Sequence, residues 1–166
     1  MLKWHRFEGR AELDTQLSQV IIAALSYAIE QRGTAYLVVS GGSTPVGLFG
    51  ELARNSALDW RKVVITLADE RWVPRSHADS NQQLVEQQLL RAHAAAARFI
   101  RLYTGAATPE QGSPSLEHDF ATLPKFDVVL LGMGGDAHTA SLFPNTEALT
   151  VSKKTKAPKA NCCQVL

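Results

Sequence analysis

The sequence predicts an α/β fold, a doubly wound and mostly parallel sheet with helices on both faces, from three observations. Short apolar runs alternate with amphipathic helical stretches along the chain, which is the pattern of strands joined by crossover helices. Several of these runs pass directly into glycine-rich or charged segments, as strands do at the functional edge of such a sheet. The 166 residues, 45% of them hydrophobic, suffice for one domain with a core.

The first half of the chain gives two helices and one strand. Apolar residues recur at helical spacing over residues 11–31, which predicts an amphipathic helix, and Gly33 ends it. The run "AYLVVS" at 35–40 is apolar enough for a buried strand. A second helix follows over residues 45–54, since Pro45 suits a first helical turn.

The second half repeats the alternation. The expected elements are, in order, a strand within residues 62–70, a helix over 81–93, a strand within 98–105, a helix over 113–123 and a strand within 126–135. Ser80 is the predicted N-cap of the first of these helices. The arrangement is a three-layer α/β/α sandwich of Rossmann-like type. We therefore expect one domain over residues 1–149.

Residues 150–166 have a different character, an irregular lysine-rich tail without helical or strand periodicity. Its adjacent Cys162 and Cys163 do not make a disulfide framework, so the chain is expected to be cytoplasmic. The terminal "CQVL" has the form of a lipidation signal, which is kept as an alternative. We otherwise expect no signal peptide, membrane span or nucleic-acid partner, because the chain lacks long apolar runs and has a formal net charge of +1.

The segment "SGGSTP" links a predicted strand to a predicted helix. Gly41 and Gly42 allow a ligand to approach the backbone, the helix N-terminus favours an anion, and Ser43 and Thr44 add hydroxyl donors. The segment lacks the lysine of a nucleotide P-loop, so a small phosphorylated metabolite fits better than ATP. The alternative is an ordinary turn in which Ser43 or Thr44 caps the helix.

The segment "ADERWVP" places three charged residues, Asp69, Glu70 and Arg71, at another strand end. Carboxylates there can accept hydrogen bonds from sugar hydroxyls, and an arginine can bind a phosphate with two parallel hydrogen bonds. The alternative is a surface charge cluster above packed apolar residues.

The segment "LGMGGDAHTASLFP" combines three glycines with an aspartate and a histidine. Gly132, Gly134 and Gly135 are expected to let the chain turn tightly and to present backbone donors. His138, beside Asp136, can take a proton from water. A dinucleotide site, a serine hydrolase triad and a metal site are all poorly supported, and the alternative is a loop histidine bonded to nearby backbone.

Together, and in this order, the three segments over about residues 4–147 resemble the family of 6-phosphogluconolactonases and glucosamine-6-phosphate isomerases. They are more similar to its lactonase branch, because "DER" stands where the deaminase branch has "DEY". The resemblance implies a doubly wound α/β enzyme without metal or organic cofactor. It would hydrolyse 6-phospho-D-glucono-1,5-lactone, a small sugar-phosphate lactone, to 6-phosphogluconate in the pentose phosphate pathway.

The resemblance also implies roles for individual residues. His138 would be the general base, Arg71 would bind phosphate or stabilise developing charge, and Asp69 would lie near the sugar hydroxyls or orient His138. The implied substrate-binding residues are Gly41, Gly42, Ser43, Thr44, Glu70, Asn81, Gly134 and Gly135.

Two features depart from the family pattern. Ala137 precedes the histidine where the family has glycine, and a positive φ there would strain it by about 1 kcal/mol or more. The family also continues after "SLFP" through further strands and helices, where this chain has its tail. The tail's lysines are candidate replacements for the charge those elements supply: Lys153, Lys154, Lys156 and Lys159. A deaminase-like enzyme and an inactive sugar-phosphate-binding remnant therefore stay open as alternatives.

Overall fold

The computed structural model describes residues 3–145. The predicted tail, with its lysines, cysteines and lipidation signal, lies outside these residues. The elements are α1 (Arg10–Arg32), β1 (Ala35–Val39), α2 (Val46–Arg54), β2 (Val63–Leu67), α3 (Asn81–Gln88), β3 (Arg98–Ile100), α4 (Pro109–Ala121) and β4 (Val128–Leu130), with 3-10 turns at Trp60–Lys62 and Ala92–Ala96. Each helix and strand expected from the sequence is present.

The four strands form one parallel sheet in the order β3-β2-β1-β4, which confirms the predicted fold class. The chain steps from β1 through β2 to β3 and then crosses back to β4, on the other side of β1. Since crossovers between parallel strands are right-handed as a rule, this order implies that α2 and α3 lie on one face and α4 on the other. The direction of winding therefore reverses between β1 and β4, and ligands bind at such a switch point.

The core lies between the sheet and the helices α1 and α2. Alternate residues of β1 and β2 point into it, because successive side chains of a strand face opposite ways. The fully buried side chains include Leu37, Val39, Ile65, Leu25 and Phe49. This packing fixes β1, one of the two inner strands, and so fixes the start of the loop that follows it.

The helix ends agree with the predicted capping at two positions and differ at a third. Gly33 ends α1 with a left-handed φ of 79°, and the Ser80 hydroxyl accepts a hydrogen bond from the Gln83 N–H at 3.2 Å. Helix α4 begins at Pro109, before the predicted start, because Thr108 caps it and a proline suits the first turn. No helix among the described residues is long and apolar enough to cross a membrane.

Candidate active site

Three loops, which follow β1, β2 and β4, meet at the carboxyl edge of the sheet and enclose a cavity of about 230 Å³. Of the residues singled out from the sequence, the ones on its wall are Gly41, Gly42, Ser43, Thr44, Asp69, Arg71, Asn81, Gly132, Gly134 and His138. Glu70 and Gly135 are not on it. The three sequence segments therefore form one site, as the order of the strands requires.

The loop after β1, which leads into the N-terminus of α2, lines this cavity as far as Thr44. Gly42 has a φ of 86°, a left-handed conformation that favours glycine. The N-cap position is Pro45, and no side chain caps the helix, so capping by Ser43 or Thr44 is not observed. Their exposed hydroxyls and the first N–H groups of α2 are suited to binding an anion.

The loop after β2 separates its charged residues. Asp69 and Arg71 lie on the cavity wall, whereas the Glu70 carboxylate accepts hydrogen bonds from the backbone N–H groups of Asn81 at 2.7 Å and Gln82 at 2.8 Å. Glu70 thus stabilises the first turn of α3, where a negative charge is favourable, and both of its oxygens are used there.

Asn81 holds the loops after β1 and β2 together. Its side chain is buried, and its Nδ2 donates to the Asp69 carbonyl at 3.0 Å. A Cβ added to Gly41 would lie only 1.8 Å from Asn81 Oδ1. Gly41 is therefore required by close packing against Asn81, which both lies on the cavity wall and supports the loop after β1.

His138 contacts two residues of its own loop. Its Nδ1 lies 2.5 Å from Asp136 Oδ1, and its ring packs on that of Phe143 with centroids 4.5 Å apart. The hydrogen bond with His138 lowers the pKa of Asp136, so this carboxylate is ionised at neutral pH. When the Nδ1–H group donates a hydrogen bond to Asp136, Nε2 carries the lone pair that can accept a proton. The partner that orients His138 is thus Asp136, and Asp69 bonds elsewhere.

The turn before His138 differs from the one expected. The left-handed residue is Ala137, with a φ of 67°, and none of the three glycines at 132, 134 and 135 is left-handed. Gly134 is needed for space, because a Cβ there would lie 2.2 Å from the His138 ring. Its N–H donates to the His138 carbonyl at 2.9 Å, so it is not available to a substrate.

Ser141 is a cavity residue that the sequence reasoning did not select. Its hydroxyl donates to Asp69 Oδ2 and joins the loop after β4 to the loop after β2. A small hydroxyl residue three positions after the histidine was visible in the sequence, but its partner, 72 positions away, was not.

The chemistry available in the cavity is proton transfer and anion binding. His138 with Asp136 supplies a proton acceptor, Arg71 supplies a cation, and the N-terminus of α2 supplies an anion site. Within residues 3–145, no three His, Cys, Asp or Glu side chains are grouped as metal ligands.

Comparison with known proteins shows a consistent set of relatives. The sequence profile of the family glucosamine-6-phosphate isomerases/6-phosphogluconolactonase matches residues 8–163. A 6-phosphogluconolactonase of Pseudomonas aeruginosa is 48% identical over 143 residues, which are 86% of this chain and 60% of that protein. One from Neisseria meningitidis is 43% identical over 87% of this chain and 63% of its own length. The chain thus spans about three fifths of the length of these curated relatives.

Solved structures show the same likeness. The crystal structure of a 6-phosphogluconolactonase from Shewanella baltica is 43% identical, with a TM-score of 0.86, over 91% of this chain and 65% of that one. A monomeric glucosamine-6-phosphate deaminase is 18% identical, with a TM-score of 0.74, over 89% of this chain and 61% of that one. This second likeness shows a shared fold.

Proposed function

The chain belongs to the family of glucosamine-6-phosphate isomerases and 6-phosphogluconolactonases, and we propose from this premise that it hydrolyses 6-phospho-D-glucono-1,5-lactone to 6-phosphogluconate. The reaction is a step of the pentose phosphate pathway. Relatives that carry the lactonase name, at 48% and 43% identity, support it.

One observation carries the proposal: His138, which is paired with Asp136, shares a cavity with Arg71 and with the loop that leads into α2. A small molecule that carries both an ester-like carbonyl and a phosphate needs a proton acceptor and an anion-binding site in one cavity. The phosphate takes the exposed hydroxyls of Ser43 and Thr44 together with the first N–H groups of α2.

The chemical step uses the free nitrogen of His138. Nε2 takes a proton from water as the water oxygen bonds to the lactone carbonyl carbon, and the carbonyl oxygen becomes an oxyanion. Arg71 is the cation on this wall that can stabilise the developing charge. The ring C–O bond then breaks, and the imidazolium returns its proton to the leaving oxygen. The product is the open-chain carboxylic acid, which releases a proton to water and becomes the carboxylate.

Asp136 supports this cycle by its charge. A carboxylate that accepts from Nδ1 fixes the tautomer and stabilises the imidazolium that forms during attack. Phe143 covers one face of the ring, which limits the orientations available to His138.

The test is spectrophotometric hydrolysis of freshly prepared 6-phosphogluconolactone, corrected for its spontaneous rate. We expect His138→Ala to lose at least about a hundredfold in kcat, as removal of a general base does. The matched control is His118→Ala, since His118 is exposed on α4 and outside the cavity; it keeps wild-type activity.

Two alternatives give different results. A deaminase-like enzyme would release ammonia from glucosamine 6-phosphate, which a coupled assay detects. A non-catalytic binding protein would show a higher melting temperature with 6-phosphogluconate and no turnover of either substrate. Equal activity of wild type and His138→Ala would refute the assigned base.

A further inference from the structure

The Ser141–Asp69 hydrogen bond connects two loops that belong to non-adjacent strands. Asp69 follows β2 and Ser141 follows β4, and these strands lie on opposite sides of β1. The contact therefore joins the loop that carries Arg71 to the loop that carries His138. Both Asp69 and Ser141 lie on the cavity wall.

The backbone at this contact is held in an unfavourable conformation. Ala140 and Ser141 have φ values of 45° and 60°, in the left-handed region that residues other than glycine, asparagine and aspartate rarely adopt. Residues in such conformations persist where surrounding contacts determine them, and they concentrate at functional sites. Here the conformation brings the Ser141 hydroxyl to Asp69.

The carboxylate of Asp69 is only half used by the protein. Oδ2 accepts from Ser141, while the Asn81 amide bonds the Asp69 backbone carbonyl and not the carboxylate. Among residues 3–145, the structure shows no hydrogen bond to Oδ1. Since Asp69 lies on the cavity wall, Oδ1 is placed to accept a hydrogen bond from a substrate hydroxyl.

We propose that Ser141 is a positioning residue, which orients the Asp69 carboxylate so that its second oxygen binds a hydroxyl group of a polyhydroxylated lactone. The inference rests on the proposed function and refines it. Ser141 acts through Asp69 and does not touch the reacting carbonyl. A carboxylate with one oxygen anchored and one free selects hydroxyl donors, because it has no proton to give.

A double-mutant cycle tests this coupling. Ser141→Ala removes the donor and keeps the backbone strain, and Ser141→Gly removes the donor and relieves the strain. Each is made in the wild type and with Asp69→Ala, and kcat and KM are measured separately. The matched control is Thr139→Ala, since the Thr139 hydroxyl bonds the Gly132 carbonyl at 2.8 Å within one loop and lies outside the cavity wall.

We expect both Ser141 variants to lower kcat/KM about tenfold, mainly through a higher KM, as loss of a hydrogen bond to a charged group does. In the Asp69→Ala background, the same two substitutions should lower kcat/KM by less than about twofold, because the partner of the Ser141 hydroxyl is already absent. Thr139→Ala should match the wild type.

An equal loss in both backgrounds would overturn the inference, and so would wild-type kinetics in Ser141→Gly, since the hydroxyl would then be dispensable. If the wild type shows no turnover, the proposed function fails separately, and the same cycle is measured by calorimetric binding of 6-phosphogluconate. If the Ser141 and Asp69 substitutions are non-additive in their effect on this affinity, the positioning role is supported. If their effects on the affinity are additive, or if the wild type does not bind 6-phosphogluconate, the positioning role is refuted.

Discussion

Replacement of Ala137 by glycine is expected to stabilise the protein. Ala137 has a φ of 67° and is exposed, so the change removes backbone strain without opening a cavity. A left-handed residue with a Cβ costs about 1–2 kcal/mol. Against this, a glycine lowers the free energy of unfolding by about 0.4–1 kcal/mol relative to alanine, because the unfolded chain has more conformational freedom. Taking the midpoint of each range, we expect Ala137→Gly to raise the free energy of unfolding by about 0.8 kcal/mol.

A gain of this size raises the melting temperature of a chain of this length by about 2–3 °C, which differential scanning calorimetry resolves. Ala107→Gly is the matched control, because Ala107 is exposed and outside the left-handed region. It should lower the melting temperature. If Ala137→Gly lowers the melting temperature as Ala107→Gly does, the left-handed conformation of Ala137 does not cost stability, and the reasoning is refuted.

Three further changes have expected outcomes. Gly134→Ala should reduce kcat at least tenfold with little change in KM, since its Cβ would lie 2.2 Å from the His138 ring; unchanged kcat would refute the close packing. Gly112→Ala should destabilise the fold by about 1–3 kcal/mol in urea titrations, because its Cβ would lie 2.4 Å from Trp72; a neutral result would mean that Trp72 moves freely. For Asp136→Asn, the melting-temperature deficit should persist down to about pH 3.8, the ordinary pKa of the carboxyl, and shrink below it. The hydrogen bond with His138 depresses the folded-state pKa of Asp136. The stabilising contribution of this carboxylate is therefore present above its unfolded-state pKa and is lost as the pH falls through its folded-state pKa. A melting-temperature deficit of Asp136→Asn that is unchanged at pH 2 would contradict this.

The fold was predictable because each strand and helix carries its own local signal. The apolar run of β1, the Gly33 stop and the Ser80 cap are all set by neighbours in sequence, and each was found where expected. The convergence of the three loops also followed, since the carboxyl ends of parallel strands lie at one edge.

The partners within the site were not predictable to the same degree. Asp69 bonds Ser141 across the sheet, and Glu70 turns away to cap α3; both depend on how adjacent loops meet in space. Adjacent residues of one charged triplet thus have different environments. The left-handed residue of the turn before His138 is Ala137, whose N–H donates to the Gly134 carbonyl, so the positions of the glycines do not locate it.

The strand order has a consequence for how the site forms in time. β1 pairs with β2 across a connection of fewer than thirty residues, but Ser40 bonds Leu130 across 90 positions. Closing the longer loop costs more chain entropy, so the contact between β1 and β4 is the later event in folding. We therefore expect the hydrophobic core, and the loop that leads into α2, to form before the loop that carries His138 is in place. The cavity that these loops share is then expected to be the last part of the described fold to form.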